Sequence, residues 1–120
     1  MKLNHLNLTV TDVPAAAHFL ETYFGLRRQG GNKGFTLLFD DNYLALTLMK
    51  SGQVTYPGTF HIGFSQENEQ QVNEIYQRLK DDGFEPEPPR RAHAWTFYVQ
   101  APGGFTVEVA SPLPANPGEA

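Results

Sequence analysis

Apolar and polar residues alternate near the start of the chain, in the segment NHLNLTV at residues 4–10. Leu6, Leu8 and Val10 lie on one face of the strand that this pattern predicts, and His5 lies on the other. The apolar face is expected to cover a helix. The face that carries His5 therefore points away from the core.

Helical spacing replaces this alternation after residue 11. Asp12 suits the N-cap, Pro14 the first turn, and Gly25 the position just after the last turn. The apolar stripe of this predicted helix consists of Ala16, Phe19, Leu20 and Tyr23. One short strand and two longer strands are predicted next, at about residues 27–29, 34–40 and 43–50.

The second half of the chain repeats this order of elements. Its first strand is FHIGFS, its helix is NEQQVNEIYQRLKDDGF, and its last two strands are WTFYVQ and FTVEVA. His5 precedes Gly25 by 20 residues and His61 precedes Gly83 by 22, so the two histidines hold equivalent positions. Such a repeat predicts two like modules within one domain. The expected bounds are about residues 1–52 and 58–112 for the modules, and 113–120 for a C-terminal tail.

Length and composition limit the classes of protein that the chain can represent. Its 120 residues suit one domain, and 40% hydrophobic with 18% charged residues is ordinary globular composition. The net charge of −4 and the scattered Lys and Arg residues argue against nucleic acid or a membrane surface as partner. The absence of cysteine excludes disulfides and thiolate ligands. No signal peptide or membrane span is predicted, so we expect a soluble, cytoplasmic protein.

Two histidines and one glutamate share the polar faces of the predicted strands. His5 and His61 are equivalent in the two modules, and Glu108 lies between Val107 and Val109. A carboxylate that is buried without a partner is costly, so Glu108 requires a cation, a donor or water. These three side chains are a reasonable ligand set for one divalent ion. The alternative is a half-exposed sheet face on which the same side chains are solvated or pair with one another.

Four segments resemble the vicinal oxygen chelate superfamily, whose members include glyoxalase I, fosfomycin-modifying transferases, extradiol dioxygenases and bleomycin-binding proteins. The segments are LNHLNLTVTDV, AAAHFLETYFGL, FHIGFS and FYVQAPGGFTVEVA, and together with the repeat they extend to about Pro112. The resemblance implies an α+β, glyoxalase-like fold of two βαβββ modules, whose mixed sheets curl into a cup around a metal ion. Single-length members commonly pair modules between chains, so it also implies a homodimer.

The metal-ligand positions of this superfamily fall on His5, His61 and Glu108, which implies a divalent ion such as Zn, Mn, Fe, Ni or Co. Glyoxalase I adds an acid from the last strand of the first module, where this chain offers only Ala45 and Thr47. The chain thus resembles the subset with two His and one Glu, which leaves metal positions for water or substrate. Bleomycin-binding members lack this ligand set.

Other residues are candidates for contacts with a small-molecule substrate. Arg90 and Arg91 are expected at the rim of the cup, where a guanidinium can hold a carboxylate or phosphate; the alternative is solvated loop charge. Trp95 and Tyr98 are candidate walls of the pocket, and Tyr98 is also a candidate donor to an oxyanion or enolate; the alternative is that both are core aromatics. The remaining candidates are Asn7 and Thr47 on the polar face of the first module.

The sequence therefore favours a small metal-dependent enzyme that chelates two oxygens of its substrate, with Glu108 and Tyr98 as catalytic residues. Lyase, isomerase, thiol-transferase and dioxygenase chemistry all fit this scheme. One alternative is a metal-free protein of the bleomycin resistance type, which binds a drug-like or aromatic ligand in the same cup. Another is a vestigial ligand set. In the tail, Leu113 is expected to lie against a neighbouring module or chain.

Overall fold

The computed structural model describes residues 1–113, and within them the chain forms two compact units. The first unit comprises Met1–Phe60 with Ala101–Phe105, and the second comprises His61–Gln100 with the residues from Thr106 onward. Each unit contains one helix and a mixed four-stranded sheet. The predicted α+β fold of two βαβββ modules is confirmed.

The first unit follows the predicted order of elements. These are β1 (His5–Val10), α1 (Val13–Phe24), β2 (Arg27–Gly31), β3 (Phe35–Phe39) and β4 (Ala45–Lys50). The strands lie in the order β1-β4-β3-β2, with β1 parallel to β4 and the other pairs antiparallel. The parallel pairing sets His5 beside Ala45 and Asn7 beside Thr47.

Helix α1 begins and ends where its capping residues predict. The carboxylate of Asp12 accepts a hydrogen bond from the backbone N–H of Ala15 at 3.1 Å, and Gly25 ends the helix in the left-handed conformation with φ 68°. The helix packs on β3 and β4. Its buried residues are Val13, Ala16, Ala17, Phe19 and Leu20. This packing leaves the face of the sheet with His5 and Asn7 uncovered by the helix.

Strand β1 is an edge of its sheet. The hydroxyl of Tyr56 accepts a hydrogen bond from the backbone N–H of Thr9 and donates one to the carbonyl of the same residue, both at 2.9 Å. The ring of Phe60 stacks on that of Tyr56 with a centroid distance of 4.4 Å. The segment that follows β4 is thus attached to the edge of β1.

The second unit contains β5 (Ile62–Ser65), α2 (Glu69–Asp81), β6 (Arg90–Arg91), β7 (Trp95–Ala101) and β8 (Phe105–Ser111). Its strands lie in the order β5-β8-β7-β6, with β5 parallel to β8 and β6 antiparallel to β7. Two details differ from the sequence prediction. Strand β5 begins after His61, because the N–H of Phe60 is still bonded in a turn to the carbonyl of Pro57. The two arginines form a short strand where a loop was expected, because they pair with the start of β7.

Helix α2 buries the stripe that its sequence predicts, through Val72, Ile75 and Leu79. The ring of Tyr76 on this helix meets that of Phe97 on β7 at a centroid distance of 5.6 Å. Because strand side chains alternate, the residues on either side of Phe97 point to the opposite face. That face carries the polar cluster described below.

Two expectations from the sequence concern the tail and membrane spans. Leu113 is half-buried, and the expectations for the tail beyond it lie outside the described residues. Within residues 1–113, neither helix combines the length and the apolar character that crossing a membrane requires.

Candidate functional site

Glu108 lies at the centre of a polar cluster in the second unit. It belongs to β8, between Val107 and Val109, which are fully buried on the helix side, so its own side chain points to the other face. Only 8% of the residue is exposed. Its neighbour on β5 is Gly63, where an added β-carbon would lie 3.9 Å from Oε1 of Glu108. The lack of a side chain at Gly63 therefore leaves space beside Oε1.

The two carboxylate oxygens of Glu108 have different partners. Oε2 accepts hydrogen bonds from the hydroxyl of Thr96 at 2.6 Å and from Nε2 of His93 at 2.8 Å. Oε1 lies 3.3 Å from Nε2 of His61. One oxygen is thus held by hydrogen bonds, while the other faces an imidazole.

Hydrogen bonding keeps Glu108 ionised. Burial raises the pKa of this carboxyl group, but hydrogen bonds from Thr96, Tyr98 and His93 lower it by more, and the charge of His93 adds to their effect. The net result is a pKa below the usual value. At neutral pH the side chain is an anion, which is the form that binds a cation.

Tyr98 lies beside both His61 and Glu108. Its ring meets that of His61 edge-on, with a centroid distance of 5.4 Å and an interplanar angle of 88°. Burial raises the pKa of Tyr98, and its hydrogen bond to Glu108 and the negative charge of that residue raise it as well. The phenol is therefore a neutral donor at physiological pH, as the predicted role toward an oxyanion requires.

The first unit carries the other predicted polar residues. His5 is exposed, and its Nδ1 lies within hydrogen-bond distance of Oδ1 of Asn4, at 2.7 Å. The hydroxyl of Thr47 donates to Oδ1 of Asn7, also at 2.7 Å. The structure thus brings the predicted substrate contacts Asn7 and Thr47 together as a cross-strand pair.

Trp95 lies on the helix side of β7. Its Nε1 donates a hydrogen bond to Oδ1 of Asn73 in α2 at 2.8 Å, whereas the neighbouring Thr96 reaches Glu108 on the opposite face. The indole is half-buried in this position. The structure therefore does not bring Trp95 to the cluster around Glu108.

Arg90 and Arg91 form the short strand β6. Both are exposed, and the backbone pairing sets Arg90 beside Thr96. The positive charge of Arg90 lies near enough to Tyr98 to oppose, in part, the rise in the pKa of the phenol that burial causes. A role in binding an anionic group of the substrate stays a prediction for both arginines.

The sequence did not predict two members of the cluster, His93 and Thr96. His93 lies in the turn between β6 and β7, where no hydrophobic period indicates which way a side chain points. Thr96 has the same phase as Tyr98 along β7. That alternation is the signal that identifies Thr96 as a neighbour of the site.

The chemistry of the cluster fits a divalent ion. Imidazole nitrogens and carboxylate oxygens are ordinary ligands, and two such atoms bound at about 2.1 Å to a tetrahedral ion lie about 3.4 Å apart. The separation of 3.3 Å between His61 and Glu108 matches this value. Within the described part of the chain, no group of three or more His, Cys, Asp or Glu side chains has an arrangement that could hold an ion. His5 belongs to the first unit and the other two ligands to the second, so the complete ligand set stays a prediction.

Comparison with known families identifies the class of protein. Residues 2–109 match the model of the Glyoxalase/Bleomycin resistance protein/Dioxygenase superfamily. The chain therefore belongs to this superfamily, and the resemblance found in its sequence is confirmed. No protein of curated function matches the chain.

Several solved structures are similar to the chain over most of its length. A possible glyoxalase from Bacillus cereus is 58% identical with a TM-score of 0.89, over 92% of this chain and 98% of that chain. The fosfomycin resistance protein FosX from Listeria monocytogenes, complexed with Mn(II) and sulfate, is 20% identical with a TM-score of 0.79, over 93% and 90%. Lactoylglutathione lyase from Agrobacterium tumefaciens is 19% identical with a TM-score of 0.72, over 92% of each chain. At this low identity, the last two likenesses show the fold alone.

Proposed function

We propose that this protein is a metal-dependent enzyme whose divalent ion is held by His5, His61 and Glu108 and which binds a small substrate through two of its oxygens. The observation that carries the proposal is the 3.3 Å separation between Nε2 of His61 and Oε1 of Glu108, at a carboxylate that stays ionised. The ion would supply Lewis-acid stabilisation of the charge that develops on the substrate oxygens.

The other side chains near these ligands have roles that follow from their chemistry. Tyr98 keeps its proton at neutral pH and would donate a hydrogen bond to an oxyanion or enolate. The guanidinium of Arg90 would bind an anionic group of the substrate. On the first unit, the pair of Asn7 and Thr47 would contact the substrate on the face that also carries His5.

The residues beside His5 argue against a metal site with a second carboxylate ligand. Ala45 is the neighbour of His5 on β4, and Thr47 is the next residue on the same face, so neither supplies a fourth carboxylate ligand. We therefore favour a site of two His and one Glu, with positions left for water or substrate. Lyase, isomerase, thiol-transferase and dioxygenase reactions are all compatible with such a site. Mn(II) is the first ion to test, because the FosX structure of the same fold contains it.

Metal analysis of protein that is purified without a metal-affinity resin tests the proposal. We expect stoichiometric binding of a divalent ion by the wild type, and loss of that binding in Glu108→Ala with little loss of fold. Thr106→Val is the matched control on the same face of β8 and should bind metal like the wild type. A wild type that binds none of Zn, Mn, Fe, Ni and Co stoichiometrically would instead favour the metal-free protein that binds a drug-like or aromatic ligand.

The metal-loaded protein is then assayed with three substrate classes. These are adducts of α-ketoaldehydes with thiols, fosfomycin, and catechols. Turnover that is lost in Glu108→Ala and lowered in Tyr98→Phe would support the roles given to these residues. Turnover that is unchanged in both variants would refute them.

We also propose that the protein is a cytoplasmic homodimer. Phe35 and Met49 are cross-strand partners on β3 and β4, and they are 39% and 49% exposed on the face of the sheet that α1 leaves uncovered. Exposed apolar surface of this kind is typical of an interface. Size exclusion with light scattering should give twice the chain mass of 13.4 kDa. A clean monomer at micromolar concentration would contradict the proposal.

A further inference from the structure

We infer that Thr96 and His93 are positioning residues for Glu108, which hold Oε2 and so leave Oε1, beside His61, as the oxygen available to the ion. The inference rests on the metal site proposed above. It goes beyond that site because neither residue belongs to the predicted ligand set, and each acts through the carboxylate.

The lone pairs of the carboxylate support this assignment. Each oxygen of an ionised carboxylate offers about two acceptor positions. The donors Thr96 and His93 use both positions of Oε2, at 2.6 Å and 2.8 Å. The acceptor positions that remain lie on Oε1, the oxygen that faces His61 and the space beside Gly63.

Thr96 is suited to a positioning role. It is 1% exposed on β7, the strand next to β8, and its backbone is fixed by the sheet. Its distance of 2.6 Å to Oε2 is typical of a hydrogen bond from a hydroxyl to a charged acceptor. A short bond between two residues of rigid strands holds the carboxylate in one orientation.

His93 is a donor to the carboxylate and not a fourth ligand. Its Nε2 lies 2.8 Å from Oε2, a hydrogen-bond distance, and Oε2 is not the oxygen that faces His61. The residue stands at the tip of a turn that is closed by a hydrogen bond from the N–H of Ala92 to the carbonyl of Ala94. The turn places the imidazole within hydrogen-bond distance of Oε2.

Titration with Mn(II) tests the inference, because the EPR signal of free Mn(II) reports the unbound ion. Thr96→Val removes the donor and keeps the side-chain shape, and His93→Ala removes the second donor. We expect each to weaken Mn(II) affinity by about 10–100-fold, the usual effect of losing a partner of a metal ligand. Thr96→Ser and His93→Gln keep a donor and should restore most of the affinity.

Thr106→Val is the matched control. The Thr106 hydroxyl accepts a hydrogen bond from Gln100 at 2.7 Å across β7 and β8. Like Thr96→Val, this variant therefore loses one side-chain hydrogen bond between these strands, but the lost bond does not involve Glu108. It should keep wild-type affinity. The side chain of His93 is 62% exposed, so His93→Ala provides a folded variant if Thr96→Val does not fold.

Two results would overturn the inference, and they are distinguishable. Wild-type Mn(II) affinity in both Thr96→Val and His93→Ala would refute the positioning roles and leave the metal site standing. Absence of Mn(II) binding by the wild type would refute the inference together with the Mn(II) site on which it rests.

Discussion

Nε2 of His93 lies 2.8 Å from Oε2 of Glu108, so a residue in an exposed turn is bonded to a buried carboxylate 15 residues later in the chain. A buried charge with no partner would destabilise the fold by several kcal/mol. Here the turn and the neighbouring strand both supply donors, through His93 and Thr96. This explains how a glutamate is accommodated between two buried valines in β8.

The lowered pKa of Glu108 predicts an acid-sensitive part of the stability of the metal-free protein. The usual pKa of this group, which applies to the unfolded chain, is 4.5, and the folded protein holds it below that value. The stabilisation is therefore present above pH 4.5 and is lost as the pH falls through the pKa of the folded state. Thr96→Val removes one donor, so it should raise the pKa of Glu108 and flatten this pH dependence.

Urea unfolding with EDTA present, from about pH 7 to about pH 3, measures this effect as a free energy of unfolding at each pH. Thr106→Val should keep the wild-type pH dependence, because its hydroxyl is bonded to Gln100. A wild-type pH profile in Thr96→Val would show that this donor does not hold the carboxylate.

Tyr56→Phe should destabilise the first unit. The change leaves both the N–H and the carbonyl of Thr9 without their partner. The expected loss in the free energy of unfolding is about 1–3 kcal/mol, measured by urea unfolding. Tyr43→Phe, at a residue that is 77% exposed, should change stability by less than about 0.5 kcal/mol. Equal effects of the two variants would count against the role of the Tyr56 hydroxyl.

Gly31→Ala should destabilise more than Gly30→Ala, although both glycines have nearly the same backbone angle, with φ 138° and 140°. The strained angle costs about 1–3 kcal/mol for an alanine at either site. At Gly31 the new β-carbon would also clash with the carbonyl oxygen of Phe35, whereas at Gly30 it would meet nothing within 4 Å. Thermal unfolding of both variants isolates this steric contribution, and equal melting temperatures would refute it.

Trp95→Phe should lower stability modestly and leave Mn(II) affinity unchanged. The change removes the hydrogen bond to Asn73, which is worth about 0.5–1.5 kcal/mol. Asn73→Ala should cost a similar amount, and the double variant should cost little more than either single change. If Trp95→Phe weakened substrate binding while Asn73→Ala did not, the indole would be a wall of the pocket, as the sequence suggested.

Most of the fold could be predicted because its signals are local. Asp12 and Gly25 mark the ends of α1 by their own chemistry, and the apolar spacing of α2 identifies the residues that it buries. The short strand at Arg90 and Arg91 could not be predicted, because two residues have no period and form a strand only through pairing with β7. The late start of β5 depends on a turn hydrogen bond that composition does not reveal.

The candidate site could be predicted in part. Glu108 stood out as a carboxylate within an apolar strand, and alternation along β7 placed Tyr98 on the same face. The alternation of side chains along a strand shows on which face of the sheet a residue lies, but not which side chain of the next strand it contacts. The hydrogen bond from Thr96 to Glu108 could therefore not be predicted. The contact of His93 depends on the path of a turn, which leaves no periodic signal in the sequence.

The bonds of Tyr56 to the backbone of Thr9 have a consequence for association between chains. A strand from another molecule can add to an exposed edge strand, because the edge presents a row of unpaired backbone N–H and C=O groups. At Thr9 this row is interrupted, because both groups are already bonded to a side chain of the same molecule. Along this edge, a strand from another molecule could pair only with the beginning of β1, over a length too short to start a fibril. Circular permutation or cleavage between residues 51 and 60 would remove this protection, and such variants should aggregate more readily than the intact chain.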